Sequence, residues 1–191
     1  KKSALTDSVI FKGDDNKYYE QVGKSDKEIT EEIAFDLPNG WSWCRLKDIC
    51  SIFTGATFKK EETVTTKEGV RILRGGNISP FELRIKDDDI FLTKDKVKED
   101  IILKENDILT PAVTSLENIG KMVRVNSDMP NTTVGGFVFI IRLYLKNQWL
   151  SKYILYLLSS PFMIDFMKSI TNKSGQAFYN IGKERLSTAL L

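Results

Sequence analysis

Apolar and polar residues alternate in short runs through the first three quarters of this chain of 191 residues. Such alternation is typical of strands with one buried face. The run at 137–144 is the most apolar, which predicts a central strand. Further strands are predicted at 41–45, 53–57, 70–73, 108–113 and 121–125. Because little helical spacing separates these runs, the pattern predicts an α+β fold with a mostly antiparallel, barrel-like sheet.

The spacing changes at Asn147, after which apolar residues recur every three or four positions. This period predicts two consecutive helices, which form a C-terminal helical segment. Ser159-Ser160 marks the start of the second helix, with Pro161 in the first turn, where a missing N–H costs least. We expect the apolar stripes of both helices to lie in the core. Their residues are Trp149, Leu150, Tyr153, Ile154, Leu157, Leu158, Phe162, Met163, Phe166, Met167 and Ile170.

Residues 1–36 have the pattern of an arm rather than of a core. Two short runs, 8–11 and 17–20, flank Gly13-Asp14-Asp15-Asn16, whose residue types supply turn geometry. This arrangement predicts a β-hairpin. A lone hairpin is marginally stable in water, so we expect it to lie on the main body. The rest of the chain, 37–191, is predicted to form one domain.

Charge is unevenly distributed, although the chain as a whole has a net charge of only +2. The first 40 residues contain 6 basic and 9 acidic side chains, whereas residues 41–191 contain 22 and 17. A mildly basic body is compatible with nucleic-acid binding but does not by itself indicate it. No apolar run approaches the length of a membrane span, and no signal-peptide core is evident. With only two cysteines and no disulfide framework, a reducing cytoplasm is the expected compartment.

Composition also restricts catalysis, because the chain has no histidine and only two cysteines, Cys44 and Cys50. Ser-His-Asp and Cys-His catalysis, His-ligated metals and a structural zinc site are excluded. No phosphate-binding glycine loop is present, nor the Asn/Asp-Pro-Pro-aromatic segment of amino-methyltransferases. A carboxylate-only nuclease is an alternative, with Asp87-Asp88-Asp89 and Glu99-Asp100 as candidate metal ligands. Solvated surface charges are the simpler interpretation.

Four polar loops carry the chemistry with which proteins recognise DNA. Arg and Lys pair with guanine and Asn and Gln with adenine, while Lys, Ser, Thr and backbone N–H groups bind phosphates. Each loop alone could equally be a hydrated turn, and the last group could simply brace the final strand. The candidate DNA-binding residues are Thr57, Lys59, Lys60, Arg74, Asn77, Ser115, Lys121, Lys173, Ser174, Gln176, Tyr179 and Asn180.

A spaced set of small motifs links the chain to a known family. In order, the motifs are Leu37-Pro38-Asn39-Gly40-Trp41, Leu46-Lys47-Asp48-Ile49, Gly55-Ala56-Thr57, Asn106-Asp107-Ile108-Leu109, Gly120-Lys121, and Gly175-Gln176 with Tyr179-Asn180-Ile181. No single motif is specific, but the ordered set resembles a target-recognition domain of a type I restriction-modification specificity subunit. One departure is Asn106, which stands where glycine is usual. We expect Trp41, Trp43, Leu46, Ile108 and Leu109 to be scaffold residues.

The stretch from Ile10 to Glu20 also resembles the segment that follows the central spacer helix of these subunits. The resemblance therefore implies the second, C-terminal recognition domain. On this basis residues 1–36 would be an arm after the spacer helix. Residues 37–191 would be the recognition domain, truncated before the distal spacer helix.

This resemblance implies that the chain recognises one half of a split double-stranded DNA target and has no catalytic activity. The implied partners are methyltransferase subunits, which use S-adenosylmethionine, and restriction or translocase subunits, which use ATP and magnesium. No cofactor is expected on this chain itself. Two alternatives stay open. One is the DNA-recognition domain of a fused type II restriction-methylation enzyme; the other is a protein-interaction module, which exposure of Trp149, Tyr153 and Phe166 on one surface would favour.

Overall fold

The computed structural model describes residues 8–174 and 178–191. The strands are β1 (Ser8–Lys12), β2 (Tyr18–Val22), β3 (Ser25–Glu28), β4 (Cys50–Thr54), β5 (Thr63–Val64), β6 (Val70–Leu73), β7 (Ile78–Ser79), β8 (Glu82–Leu83), β9 (Ile90–Leu92), β10 (Ile108–Pro111), β11 (Val113–Thr114), β12 (Val123–Arg124), β13 (Thr132–Val134), β14 (Val138–Leu143), β15 (Thr171–Ser174) and β16 (Phe178–Ile181). The helices are α1 (Leu46–Ile49), α2 (Gln148–Leu158), α3 (Pro161–Ser169) and α4 (Lys183–Ser187).

These strands form small sheets that pair mostly in antiparallel fashion. The spatial orders are β1-β2-β3, β12-β10-β14-β4, β11-β16-β15, β13-β6-β9-β5 and β7-β8. The β13–β6 pair is parallel, and the other pairs of named strands are antiparallel. The predicted α+β class is confirmed, although the described strands are divided among several sheets rather than one continuous barrel. Within the described ranges, no helix has the length and apolar character needed to cross a bilayer.

The sheet that contains β14 separates two parts of the hydrophobic core. Successive side chains of a strand point to opposite faces. Ile108 and Ile141 therefore pack with the helical segment, whereas Leu109 and Ile140 pack against residues of β6 and β13. Burial on both faces explains the apolar residues at 138–141, and the interior position of β14 in its sheet confirms the predicted central strand.

Helices α2 and α3 begin where their capping residues predict. The Asn147 side chain accepts hydrogen bonds from the backbone N–H groups of Trp149 and Leu150, at 2.8 and 3.0 Å. Ser160 caps α3 in the same way, with Pro161 in the first turn. The buried residues of the two helices are Ser151, Ile154, Leu155, Leu158, Met163 and Met167.

The aromatic residues of α2 do not lie in the core as predicted. The exposed fractions are 69% for Trp149 and 46% for Tyr153. Tyr156, one turn further on, is also exposed. Periodicity located an amphipathic helix correctly, but aromatic side chains extend beyond the face that the sheet covers.

The predicted hairpin is confirmed as β1 and β2, and the chain after it adds β3 as a third strand. This arm packs on the body, because Ile10 and Ile29 share one apolar cluster with Trp43 and Leu190. The Arg45 guanidinium lies 2.6 Å from a Glu20 carboxylate oxygen and 2.8 Å from a Glu32 oxygen. Both Arg45 and Glu20 are buried, so this cluster fastens the arm to the body.

The strand predicted at 41–45 is not formed as a named strand. Cys44 instead exchanges two backbone hydrogen bonds with Leu191, and Arg45 forms an isolated bridge with Leu190. The two partners are far apart in sequence, so alternation alone could not identify the pairing. The expectation that Trp41 is a scaffold residue of the core is wrong, since 57% of the residue is exposed.

We predict that Glu20→Gln lowers the free energy of unfolding by about 1–3 kcal/mol at neutral pH, because it removes a charged, buried acceptor from Arg45. Hydrogen bonding from Arg45 holds the pKa of Glu20 below its ordinary value. The stability from this pair is therefore present above the ordinary carboxyl pKa and is lost as the pH falls through the lowered one. Urea unfolding at neutral and acidic pH should show the difference between wild type and variant shrinking in acid.

Glu28→Gln is the matched control for this prediction. Glu28 pairs with Lys17 at 2.9 Å, but both side chains are exposed at the surface, at 44% and 49%. Exposed pairs of this kind contribute about 0–1 kcal/mol. Equal losses from the two variants would show that the Arg45 cluster does not fasten the arm.

Candidate nucleic-acid interface

Strand register brings the predicted loops to one end of the sheets. Thr54 pairs with Phe139 and Pro111 with Val138, so β4 and β10 both end where β14 begins. The parallel strands β6 and β13 end together, with Leu73 opposite Val134. The segments that leave these strands therefore emerge side by side. We call this end the loop face; it comprises residues 55–60, 74–76, 112–115, 121, 135–137, 172–174 and 178–180.

Close backbone packing holds the first segment of the loop face in place. The Ala56 N–H donates to the Val134 carbonyl at 2.8 Å, and Ala56 bridges Gly135. A side chain at Gly55 would overlap the Val134 backbone, and a methyl group at Gly136 would lie 2.9 Å from the Thr57 hydroxyl oxygen. The glycine of the Gly-x-Thr motif is thus required by packing, and it leaves Thr57 exposed at the surface.

Lys59 and Lys60 extend the loop face with positive charge. Both are exposed, at the start of a short 3₁₀ turn that spans Lys60–Glu62. The Lys59 N–H donates to the Glu62 carboxylate at 2.7 Å, which fixes the turn without using the ammonium group. Among residues 8–174 and 178–191, neither lysine forms an ion pair. Both ammonium groups are therefore available to a phosphate.

Arg74 follows directly on β6 and is also exposed on the loop face. Its guanidinium donates to the Asp88 carbonyl at 3.2 Å and lies 3.5 Å from the Asp88 carboxylate. Both side chains are solvated, and such a pair contributes little. Arg74 can therefore exchange this partner for a base edge or a phosphate at low cost.

Asn77 belongs to the framework rather than to the surface. It is 1% exposed; its amide oxygen accepts from the Arg74 N–H, and its amide nitrogen donates to the Arg84 carbonyl and to Asp89. We therefore remove Asn77 from the candidate DNA-binding set. A polar residue within a Gly-Gly-Asn turn looks the same in sequence whether its amide faces outward or closes the turn.

Asp89, one of the carboxylates considered for a metal-dependent nuclease, is also structural. Its oxygens accept from Arg71, from Asn77 and from the Lys86 N–H, at 2.9, 2.6 and 2.9 Å. Burial raises the pKa of Asp89, but these hydrogen bonds outweigh it and hold the pKa below its ordinary value. In the part of the chain that the structure describes, no group of three or more Asp, Glu or Cys side chains lies close enough together to hold a metal ion.

Ser115 and Lys121 lie on the loop face around the end of β10. The Ser115 hydroxyl donates to Glu117 and accepts from the Asn118 side chain, both at 2.7 Å, so it closes a local turn. Val123 pairs with Leu109, which places Lys121 level with the end of β10. Lys121 is partly exposed.

The β15–β16 hairpin supplies the last candidates. Tyr179 pairs with Lys173 and with Thr114, and its ring packs against the main core. Tyr179 therefore braces the hairpin, whereas Lys173 and Asn180 are exposed beside it. Ser174 lies at the end of β15, and Gln176 is outside the described residues.

Two aromatic residues on the loop face were missed by the sequence analysis. Phe137 is 74% exposed, and Phe178 is also exposed. Phe137 was assigned to the central strand, because an apolar residue next to an apolar run is read as part of it. The preceding Gly135-Gly136 pair was the only local signal that the chain bends there.

Several motif residues build the framework behind the loop face. Trp43, Leu46, Ile108 and Leu109 are buried, as predicted. Asn106 has a φ of 73°, in the left-handed region that glycine adopts readily and asparagine tolerates. Its side-chain oxygen also accepts from Arg124 and from Ser151, at 2.7 and 3.0 Å. Position 106 thus requires a left-handed backbone conformation, which asparagine can adopt in place of glycine.

Comparison with known proteins gives one sequence relative and several structural ones. The chain is 36% identical, over 104 residues, to the type I restriction enzyme EcoAI specificity subunit of Escherichia coli. The matched segment is 52% of this chain and only 17% of that relative. No protein-family model matches the chain.

Two solved structures have the same fold. One, from work on complex assembly and conformational transition of the type I restriction-modification system, aligns with a TM-score of 0.56 and 20% identity, over 83% of this chain and 35% of that one. The other is the HsdS subunit of Thermoanaerobacter tengcongensis, which aligns with a TM-score of 0.52 and 20% identity. That alignment covers 82% of this chain and 34% of the HsdS chain. As the motifs predicted, this chain is similar in sequence to a type I restriction-modification specificity subunit, and it has the fold of part of both solved structures.

Proposed function

We propose that this chain recognises DNA sequence as a target-recognition domain of a type I specificity subunit. One observation carries the proposal: loops far apart in sequence converge on one end of the sheets and present exposed basic and polar side chains there. Rigid strands that position variable loops are a common way to build a binding surface. The chain would bind one half of a split target and would itself have no catalytic activity.

The remaining parts of the proposal rest on the family. Methyltransferase subunits with S-adenosylmethionine, and restriction or translocase subunits with ATP and magnesium, would assemble with the complete specificity subunit. The Escherichia coli relative is a type I restriction enzyme subunit and one of the solved structures concerns a type I system, which favours this assembly over a fused type II enzyme. Assignment as the C-terminal recognition domain, with an arm at 1–36 and the domain proper at 37–191, stays a prediction.

On the loop face, Lys59, Lys60, Lys121 and Lys173 are proposed to hold phosphates. Arg74 is proposed to contact a base edge, since a guanidinium can bind guanine in a bidentate manner. Thr57, Ser115, Ser174 and Asn180 are proposed to make smaller polar contacts, with Tyr179 positioning the hairpin. Gln176 keeps its proposed role as an adenine contact.

The experiment that tests this function compares lysines at the two ends of the sheets. The double variant Lys59→Ala/Lys60→Ala should bind every duplex more weakly than the unmodified full chain does. Its slope of log affinity against log salt concentration should fall by the amount expected for about two lost phosphate contacts. Arg74→Ala should instead relax the preference at one base pair and cost about 1–3 kcal/mol there. Binding is measured by fluorescence anisotropy over a range of salt concentrations.

The double variant Lys104→Ala/Lys146→Ala is the matched control. Both lysines are exposed, and they lie just before β10 and just after β14, at the end of that sheet away from the loop face. This pair should leave affinity and salt dependence unchanged. If it weakens binding as much as the Lys59 and Lys60 changes do, the loop face is not the DNA interface.

A protein-interaction module is a second candidate, because aromatic residues are exposed on α2. Trp149, Tyr153 and Tyr156 follow one another at helical spacing on the surface, and the Trp41 ring lies 6.0 Å from the Tyr153 ring, measured between centroids. Phe166 is only partly exposed. Contiguous exposed apolar side chains are typical of protein-contact surfaces. This function is compatible with the first, since it uses α2 rather than the loop face.

A further inference from the structure

Phe137 is the most exposed of the large apolar residues in the described part of the chain. It lies in the loop face between the Gly135-Gly136 bend and the start of β14. Its ring has no aromatic partner among residues 8–174 and 178–191. Burial in this fold therefore does not account for a phenyl ring at this position.

The backbone that carries Phe137 is held on three sides. Its carbonyl accepts from the Ala112 N–H at 2.8 Å, the Gly135 N–H donates to the Leu73 carbonyl at 2.8 Å, and the Val138 N–H donates to the Gly135 carbonyl at 3.1 Å. The adjoining Gly136 packs against Thr57 so closely that a side chain would not fit without movement. The ring is thus presented from a rigid support, which lowers the entropy cost of using it in binding.

Two candidate DNA-binding residues lie on segments that contact the backbone next to this ring. Arg74 directly follows Leu73, whose carbonyl binds the Gly135 N–H, and Thr57 lies against Gly136. DNA held by these side chains would therefore meet the phenyl ring as well. A phenyl ring has no hydrogen-bonding group, so it can distinguish base pairs only by apolar contact. The apolar group on the major-groove edges of the base pairs is the C5 methyl of thymine.

We infer that Phe137 determines specificity by packing against a thymine methyl group in the major groove, an inference that rests on the proposed function. Insertion of the ring between base pairs is the competing geometry. Proteins that insert apolar wedges do so mainly from the minor groove. The guanine contact proposed for Arg74 lies in the major groove, and Arg74 follows Leu73, whose carbonyl holds the Gly135 N–H, so the Phe137 ring would face that same groove.

The test begins with selection from duplexes that carry a randomised stretch, using the full chain and its Phe137→Ala variant. Wild type should select thymine at one position, and the variant should lose that preference while keeping the others. Deoxyuridine differs from thymidine only in lacking the methyl group. Replacing the selected thymine with uracil should weaken wild-type binding roughly fourfold, the value of one buried methyl group, and should leave Phe137→Ala unaffected.

Two further variants make the result specific. Phe137→Leu keeps an apolar side chain and should keep part of the uracil effect. Tyr144→Ala removes an exposed aromatic residue just beyond the other end of β14 and should behave as wild type. Since Phe137 is exposed, its replacement should leave the far-ultraviolet circular dichroism spectrum unchanged.

The remaining outcomes separate failure of this inference from failure of the proposed function. If Phe137→Ala keeps both the thymine preference and the uracil effect, the ring does not contact that methyl group. Uniformly weaker binding of the variant, with wild type insensitive to uracil, would indicate a wedge and overturn the inference. If wild type selects no sequence at all, the proposed function fails and the inference with it.

Discussion

Gly55→Ala is expected to lower the free energy of unfolding by more than about 4 kcal/mol or to prevent folding altogether. The added methyl group would overlap the carbonyl group of Val134 and also meet the Val134 side chain. That carbonyl accepts the Ala56 N–H at 2.8 Å, so moving either backbone segment breaks the contact between β13 and the chain after β4. A domain has only about 5–15 kcal/mol of net stability, so most of it would be lost. Urea unfolding followed by circular dichroism measures the effect.

Gly135→Ala is the matched control, because Gly135 forms the bridge with Ala56 from the other side. The nearest atoms to a methyl group at Gly135 lie 3.8 Å away, an ordinary contact distance. The expected cost is below about 1.5 kcal/mol. Should Gly55→Ala prove as mild as this control, the chain after β4 must be able to shift, and the motif glycine would need another explanation.

Asp107→Ala is expected to cost about 3–5 kcal/mol, because it leaves the Arg142 guanidinium without its carboxylate partner. Asp107 is 1% exposed, and its two oxygens accept from Arg142 at 2.7 Å each and from the Lys104 N–H at 2.8 Å. Arg142 also donates to the carbonyls of Asp100 and Ile102. The loss would therefore loosen the 98–104 segment as well as the start of β10. Hydrogen exchange should show faster exchange in that segment.

Asp128→Ala is the control for this second prediction. Asp128 is exposed, and its carboxylate accepts one backbone N–H, from Glu105, at 2.8 Å. Loss of one such hydrogen bond should cost about 0.5–1.5 kcal/mol. If both variants lose stability equally, the pairing of Asp107 with Arg142 does not stabilise the fold beyond a single capping hydrogen bond.

Local signals predicted the secondary structure where each element depends on its own residues. The Asn147 and Ser160 caps, with Pro161, give correct starts for α2 and α3, and turn residues at 13–16 give the first hairpin. Capping and turn geometry involve residues a few positions apart, so they can be predicted from sequence. The strand predicted at 41–45 fails because its partner, Leu190-Leu191, lies at the other end of the chain.

The candidate site was predicted less evenly. Residue type predicted Lys59, Lys60 and Arg74 as surface residues able to bind DNA, and all three are exposed. Asn77 has the same chemistry and is buried, because its amide satisfies the backbone of its own turn and Asp89. Phe137 was missed for the opposite reason, since an apolar residue beside a buried strand gives no sign that it lies outside. Residue type alone does not determine which side of a loop faces solvent.

By itself, the sequence determined the absence of histidine chemistry, the two helices, the central strand and the ordered motifs that point to the family. Each of these depends on composition, on short-range periodicity or on residue order. Only the tertiary structure decided that the loops after β4, β6 and β10 share one end, that Trp41 and Trp149 are exposed, and that Gly55 must be glycine. These depend on strand register and on backbone approach between segments distant in sequence, which no local pattern encodes.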